Sequence, residues 1–174
     1  TVVVGTKVPG WELGNLRIGS SDLLVVEGCE HMAHMLELDP WAVVLTNIEE
    51  EHLDYYRDLD HIRNTFQELV DKVPKDGFVV RNTDDSESMR LKVKVKDLVY
   101  SLKSKPDDLE LQVPGDFNIS NALAAVAASE QLSVDPDIAL KSLLEFSGVW
   151  RRFEIVGQFE GATIVSDYAH HPTA

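Results

Sequence analysis

Cysteine is nearly absent. Cys29 is the one thiol in 174 residues, so no internal disulfide can form and the chain suits a reducing compartment. Long apolar runs are missing as well. No stretch approaches the ~20 residues that carry a helix across a bilayer, and the opening TVVVGTKVPGWE holds too short an apolar run for a secretory leader. These absences point to the cytoplasm and away from a membrane. Positive charge is scarce: 16 Lys and Arg stand against 30 Asp and Glu, a net charge of −14. Nucleic-acid binding draws on clustered Lys and Arg, and Arg151-Arg152 is the only Arg pair, so nucleic acid is not the expected partner. A phosphorylated ligand would need local cations, backbone amides or a bound metal rather than a basic field. Internal repeats and low-complexity segments do not stand out.

What is present is ordinary for a globular chain, with 44% hydrophobic and 26% charged residues. The length suits one domain, or one domain and the start of another. The chain opens without Met and stops at DYAHHPTA, where a helix could begin; both ends read as cut from a longer protein. Strand-like runs fall at 23–27, 41–46, 77–81, 97–102, 153–159 and 162–166. The first two are continuously apolar, as in strands covered on both faces of a parallel sheet. Residues 30–38 suit a short helix between them. Ile62, Phe66, Leu69, Val70 and Val73 recur at spacings of three and four, an amphipathic helix closed by PKDG. Ala-rich FNISNALAAVAASEQL predicts a second helix, and 137–146 a third.

Strand and helix alternate, so the expected fold class is α/β, with a mostly parallel sheet flanked by helices. The segment RLKVKVKDLVY is ambiguous. Its Lys and Val alternation suits an exposed edge strand, while Asp84-Asp85-Ser86 before it looks like a helix cap. Composition changes near SGVWRRFE, and Glu160-Gly161 between two strand-like runs signals a hairpin. The expected division is a central domain over 1–148, then a linker and the start of another domain over 149–174.

Two strand ends carry acids. One run ends at Glu27, followed by Gly28, Cys29 and Glu30. The other ends at Thr46-Asn47, followed by Glu49, Glu50, Glu51, His52 and Asp54. In a parallel α/β sheet, the carboxyl ends of neighbouring strands open into one crevice, which would bring Glu27 and His52 together. Carboxylate oxygen plus imidazole suits a divalent ion with open positions. Equally, Glu49 to Glu51 could be a solvated helix entry, where the dipole favours acids. Zinc on Cys29, His31 and His34 is weaker, since neither CxxC nor HExxH occurs. Asn118 and Asn121 stand three apart at a helix start, suited to a purine edge or a ribose, or to capping. Arg151 and Arg152 could reach a phosphoryl group or form a surface pair. Asp167, His170 and His171 lie on a connector before Pro172, either near a ligand or as a structural hinge.

TNIEEEHLDYY, PGDFNISNALAAVAA, GVWRRFE and SDYAHHPT, in this order and at these intervals, resemble the Mur ligase family from Leu23 onward. The resemblance implies a central domain of P-loop type, followed by the first strands of a Rossmann-like domain. It implies ATP and Mg2+ as cofactors and an acyl phosphate made from a carboxylate, which an amine then attacks. The motifs suit the peptidoglycan branch that uses UDP-N-acetylmuramate and L-alanine. By resemblance Glu27 and His52 match metal ligands, and Asn118 and Asn121 match nucleotide-contacting asparagines. Arg152 matches an arginine on the phosphates, and Asp167 an aspartate near the ribose. The catalytic assignment therefore falls on His52 and Arg152.

The family's Gly-Lys-Thr phosphate loop does not occur here: Gly5-Thr6-Lys7 has the wrong order and spacing, and the chain is expected to begin downstream of the loop. Cys29 and Met32 stand where the family has acids, and Phe117 where a His is usual. Without that loop, this stretch alone is expected to be inactive as a ligase. Alternatives are a murein tripeptide ligase or another branch such as a folate- or cyanophycin-type ligase. Outside the family stand a non-catalytic α/β binding module and, more distantly, a metal hydrolase.

Overall fold

The computed structural model describes residues 1–170. Along the chain run β1 (Val2–Val3), β2 (Leu16–Arg17), β3 (Val25–Val26), a 3-10 helix (His31–Glu37), β4 (Ala42–Leu45), α1 (Leu59–Asp71) and β5 (Phe78–Asn82). Then follow α2 (Ser86–Met89), β6 (Lys96–Tyr100), α3 (Asp116–Gln131), α4 (Pro136–Glu145), β7 (Glu154–Phe159) and β8 (Ala162–Ser166). They gather into two compact units. One holds Gly28–Glu110 and Gly115–Leu144; the other holds Thr1–Glu27, Leu111–Pro114 and the chain from Glu145 on.

The larger unit is built on a parallel sheet in the order β4-β5-β6. Parallel strands need a crossover between them, and α1 supplies the one from β4 to β5. This helix starts because the Asp58 carboxylate accepts the His61 N–H at 2.7 Å, capping the orphan amides of the first turn. Its apolar stripe buries Ile62, Leu69 and Val70, which cluster with Val43, Leu45 and Val79 of the sheet. Each such side chain contributes about 1.5–3 kcal/mol by leaving water. Helix α3 packs along β5 and β6 and buries Ala122, Leu123 and Ala124; small Ala side chains let it approach closely. With helices packed on it, central β5 is buried throughout, and Val79 and Val80 are 0% exposed.

Strand β6 lies at one edge of the sheet, and it begins only at Lys96. The Asp85 carboxylate accepts the Glu87 and Ser88 N–H groups and starts α2. The cap reading of Asp84-Asp85-Ser86 therefore holds, while the Lys and Val alternation over 92–95 is not strand and the edge strand covers only Lys96–Tyr100.

The smaller unit contains the sheet β2-β1-β3, in which β1 pairs antiparallel with β2 and parallel with β3. It also contains the antiparallel β7–β8 hairpin. Glu160 and Gly161 take φ of 49° and 83°, the left-handed pair that a two-residue turn requires.

Three sequence expectations are corrected here. The 23–27 run does not form a strand covered on both faces. Only Val25–Val26 is strand, its pairing partner is β1, and Leu23, Leu24, Val25 and Val26 are exposed. The 41–46 run is not covered on both faces either, since β4 buries Val43 and Leu45 while Trp41 and Val44 are exposed. The 23–27 and 41–46 runs belong to different sheets, so they are not the neighbouring strands whose shared crevice was expected to join Glu27 and His52. An apolar run records the capacity to be buried, not which element covers it.

Candidate functional site

The exit of β4 is pinned before it reaches the acidic turn. The Asn82 side-chain amide donates to the Thr46 carbonyl at 3.1 Å, and the Asp85 carboxylate accepts the Ile48 N–H at 3.1 Å. Ile48 is buried in the core. The chain then turns at His52, whose φ of 52° is left-handed, an uncommon state for a residue other than glycine. The His52 carbonyl accepts the N–H groups of Tyr55 and Tyr56, each at 2.9 Å. Tyr56 is 1% exposed and donates its phenol to the Glu30 carbonyl. Burial pushes that phenol above its ordinary value, so it stays a donor at neutral pH. Tyr56 thereby ties the turn after β4 to the turn before the 3-10 helix.

The result is a compact group of ligand-type atoms. His52 Nε2 lies 3.4 Å from Glu30 Oε1 and 3.8 Å from Glu51 Oε1. Glu30, Glu51 and His52 each offer one such atom within 4.8 Å of the others, and so do His31, His52 and Asp54. The rings of His31 and His52 have centroids 4.7 Å apart. Among the described residues, neither group includes Cys29 or His34, so the Cys29, His31 and His34 trio considered for zinc is not assembled. The helix expected over 30–38 is a 3-10 helix, His31–Glu37, broken where Met32 and Ala33 take left-handed φ.

The other sequence candidates fall as follows. Glu27 belongs to the smaller unit, where its Oε2 accepts the Gly5 N–H at 2.6 Å. Asn118 and Asn121 sit in the first turns of α3 in the larger unit. The capping alternative for this helix is corrected: Gly115 occupies the N-cap position and no side chain caps it.

Arg152 and Asp167 lie close together in the smaller unit. The Asp167 carboxylate accepts the N–H of Ala169 at 2.5 Å and of Phe153 at 2.6 Å. Those bonds, helped by the Arg152 charge, hold its carboxyl below the usual carboxylate range. Arg152 is exposed, whereas Arg151 lies over the rings of Trp150 and Tyr168 at 5.4 and 4.9 Å. The guanidinium of Arg151 is thus committed to packing. His170 Nδ1 meets the Tyr168 carbonyl at 2.9 Å; His171 and Pro172 lie outside the described residues.

Sequence reasoning missed Tyr56, which fixes Glu30, and credited Asp85 only as a cap. The paired aromatics of LDYY directly after His52 were the available signal for the first. The second depends on a contact spanning 37 positions, for which local pattern carries no signal.

A parallel α/β sheet with carboxylates and imidazoles gathered beyond a strand's carboxyl end defines a class in which ligands are taken at strand exits. The Mur ligase middle domain matches residues 13–112, and the chain belongs to the Mur ligase family. It is 37% identical to the UDP-N-acetylmuramate–L-alanine ligase of Clostridium novyi, with 92% of this chain and 41% of that protein covered. To the enzyme of the same name from Solibacter usitatus it is 39% identical, over 99% of this chain and 42% of that protein. The crystal structure of UDP-N-acetylmuramate-alanine ligase from Thermotoga maritima superimposes with a TM-score of 0.80 at 27% identity, over 97% of this chain and 44% of that one. The chain thus spans about two fifths of the length of the curated relatives it matches. Among the described residues, no helix is long and apolar enough to cross a membrane.

Proposed function

We propose that this chain is the middle part of an ATP-dependent amide ligase of peptidoglycan synthesis. The whole protein would join L-alanine to UDP-N-acetylmuramate through an acyl phosphate, in the cytoplasm. The observation that carries this reading is the middle-domain match over 13–112, a span that contains both Glu27 and His52. Relatives named UDP-N-acetylmuramate–L-alanine ligase, at 37% and 39% identity, support the branch.

ATP would supply the phosphoryl group, and a bound Mg2+ would neutralise the charge between two anionic reactants. Each residue by itself suits a divalent ion: in the smaller unit Glu27 keeps Oε1 beyond its bond to Gly5, and in the larger His52 turns its ring toward two carboxylates. Glu27 and His52 would hold the ion. Asn118 and Asn121 would contact the nucleotide, Arg152 its phosphates, and Asp167 the ribose. The Asp167 carboxylate is held ionised by two backbone N–H groups, which also fixes its direction. We place the boundary between the central domain and the linker near residue 148.

The test uses the full-length protein with ATP, Mg2+ and UDP-N-acetylmuramate, and a panel of amines that includes L-alanine and the murein tripeptide. L-alanine-dependent ADP release with the matching product mass is expected. Glu27→Ala and His52→Ala should each abolish most turnover while the circular dichroism stays unchanged. Turnover only with tripeptide would overturn the branch, and no amine-dependent release would overturn the ligase.

A further inference from the structure

Two imidazoles and three carboxylates meet around His52, and this is not the donor set that magnesium favours. Magnesium prefers oxygen ligands in near-octahedral array and keeps its waters. Imidazole nitrogen instead favours later first-row ions, with affinity rising toward copper and zinc. His31, His52 and Asp54 each present one ligand atom within 4.8 Å of the others, and the two rings are 4.7 Å apart, tilted by 51°.

We propose that His31, His52 and Asp54 form a site for a late first-row divalent ion, zinc being the best match. Two His and one carboxylate leave a position open for water or for Glu30. The atoms of His31, His52 and Asp54 lie within 4.8 Å of one another and would draw in on binding. Glu30 is near as a fourth ligand: its Oε1 stands 3.4 Å from His52 Nε2, close to the roughly 3.4 Å between ligand atoms of a tetrahedral zinc with bonds of about 2.0–2.1 Å. Little rearrangement of the backbone is called for, because Tyr56 ties the Glu30 carbonyl and two amides hold the His52 carbonyl.

This site shares only His52 with the proposed magnesium ligands and does not use Glu27. Its binding stands whether or not the ligase reading holds. One consequence does rest on that reading: zinc on His52 removes a magnesium ligand, so micromolar zinc should inhibit the full-length enzyme and a chelator should restore it.

The test is zinc titration of the 174-residue chain by calorimetry in excess magnesium, with NMR of the imidazole signals. One zinc per chain is expected, with His31 and His52 signals shifting together and those of His34 unmoved. His31→Ala should weaken zinc binding by at least about tenfold, since even outer-shell partners cost that much, while His34→Ala should leave it unchanged. Zinc binding no tighter than magnesium, an unaltered affinity in His31→Ala, or shifts centred on His34 would each overturn the proposal. Should His31→Ala unfold, the imidazole shifts of the unsubstituted chain decide. Ligase turnover in magnesium is read separately, so failure of one reading is not mistaken for failure of the other.

Discussion

The phenol of Tyr56 donates a hydrogen bond to the backbone carbonyl of Glu30, across 26 positions of sequence. One buried side chain thereby joins the turn that carries His52 to the turn that carries Glu30 and His31. Tyr56→Phe keeps the ring and removes the donor, leaving the Glu30 carbonyl with only the Ala33 N–H at 2.8 Å. That should cost about 1 kcal/mol, read by urea denaturation. It should also speed hydrogen exchange at the Tyr55 and Tyr56 amides, which bond to His52. Unchanged exchange at both would show that the turn holds without the tie.

Gly77 lies where the chain enters β5. A Cβ there would stand 2.0 Å from the Trp41 carbonyl oxygen and 2.7 Å from Val73 Cγ1. The first obstacle is backbone, so it cannot swing aside. Gly77→Ala should destabilise the larger unit by about 3 kcal/mol, the upper part of the overpacking range. A melting temperature unchanged from wild type would refute the close approach.

Arg81 is 5% exposed, and its guanidinium is bonded to Asp97 and to the carbonyls of Ser88 and Leu91. Removing Asp97 leaves a buried charge without its counter-ion. Asp97→Ala should therefore cost about 3 kcal/mol. Replacing both partners with apolar residues, Arg81→Met with Asp97→Leu, should recover most of it. Chemical denaturation of the single and double variants is the check.

The Asp167 carboxyl is held below its ordinary value of 3.8 by the Ala169 and Phe153 amides and the Arg152 charge. Its folded value is thus lower than its unfolded one. The stabilisation is complete above the unfolded value and is lost as pH falls through the folded value. The amide resonances of Phe153 and Ala169 should therefore be constant from neutral pH to about pH 5 and move below about pH 4. In Asp167→Asn they should no longer follow that titration.

Much of the fold was legible. Ile62, Leu69 and Val70 announce α1 by spacing, the Ala-rich run announces α3, and Glu160-Gly161 announces the hairpin. Helical and strand periods are local, so a window of residues holds the whole signal. The 23–27 run misled because apolarity does not name a partner: Val25 and Val26 pair with β1 and stay exposed. At the candidate site, motif order pointed to His52, but not to its neighbour His31 or the supports Tyr56 and Asp85. Those relationships depend on hydrogen bonds and ring contacts between distant segments. Arg151 and Arg152 are indistinguishable in sequence; the rings of Trp150 and Tyr168 engage only the first.

The left-handed backbone at His52 has a bearing on how the protein would drift under relaxed selection. A side chain in that conformation costs roughly 1–2 kcal/mol that glycine avoids. His52→Gly should therefore leave the unit as robust as before, or more so, while erasing the imidazole. The backbone there does not ask for histidine, so if the proposed ligand role holds, a lineage that lost the chemistry would be free to lose this residue early.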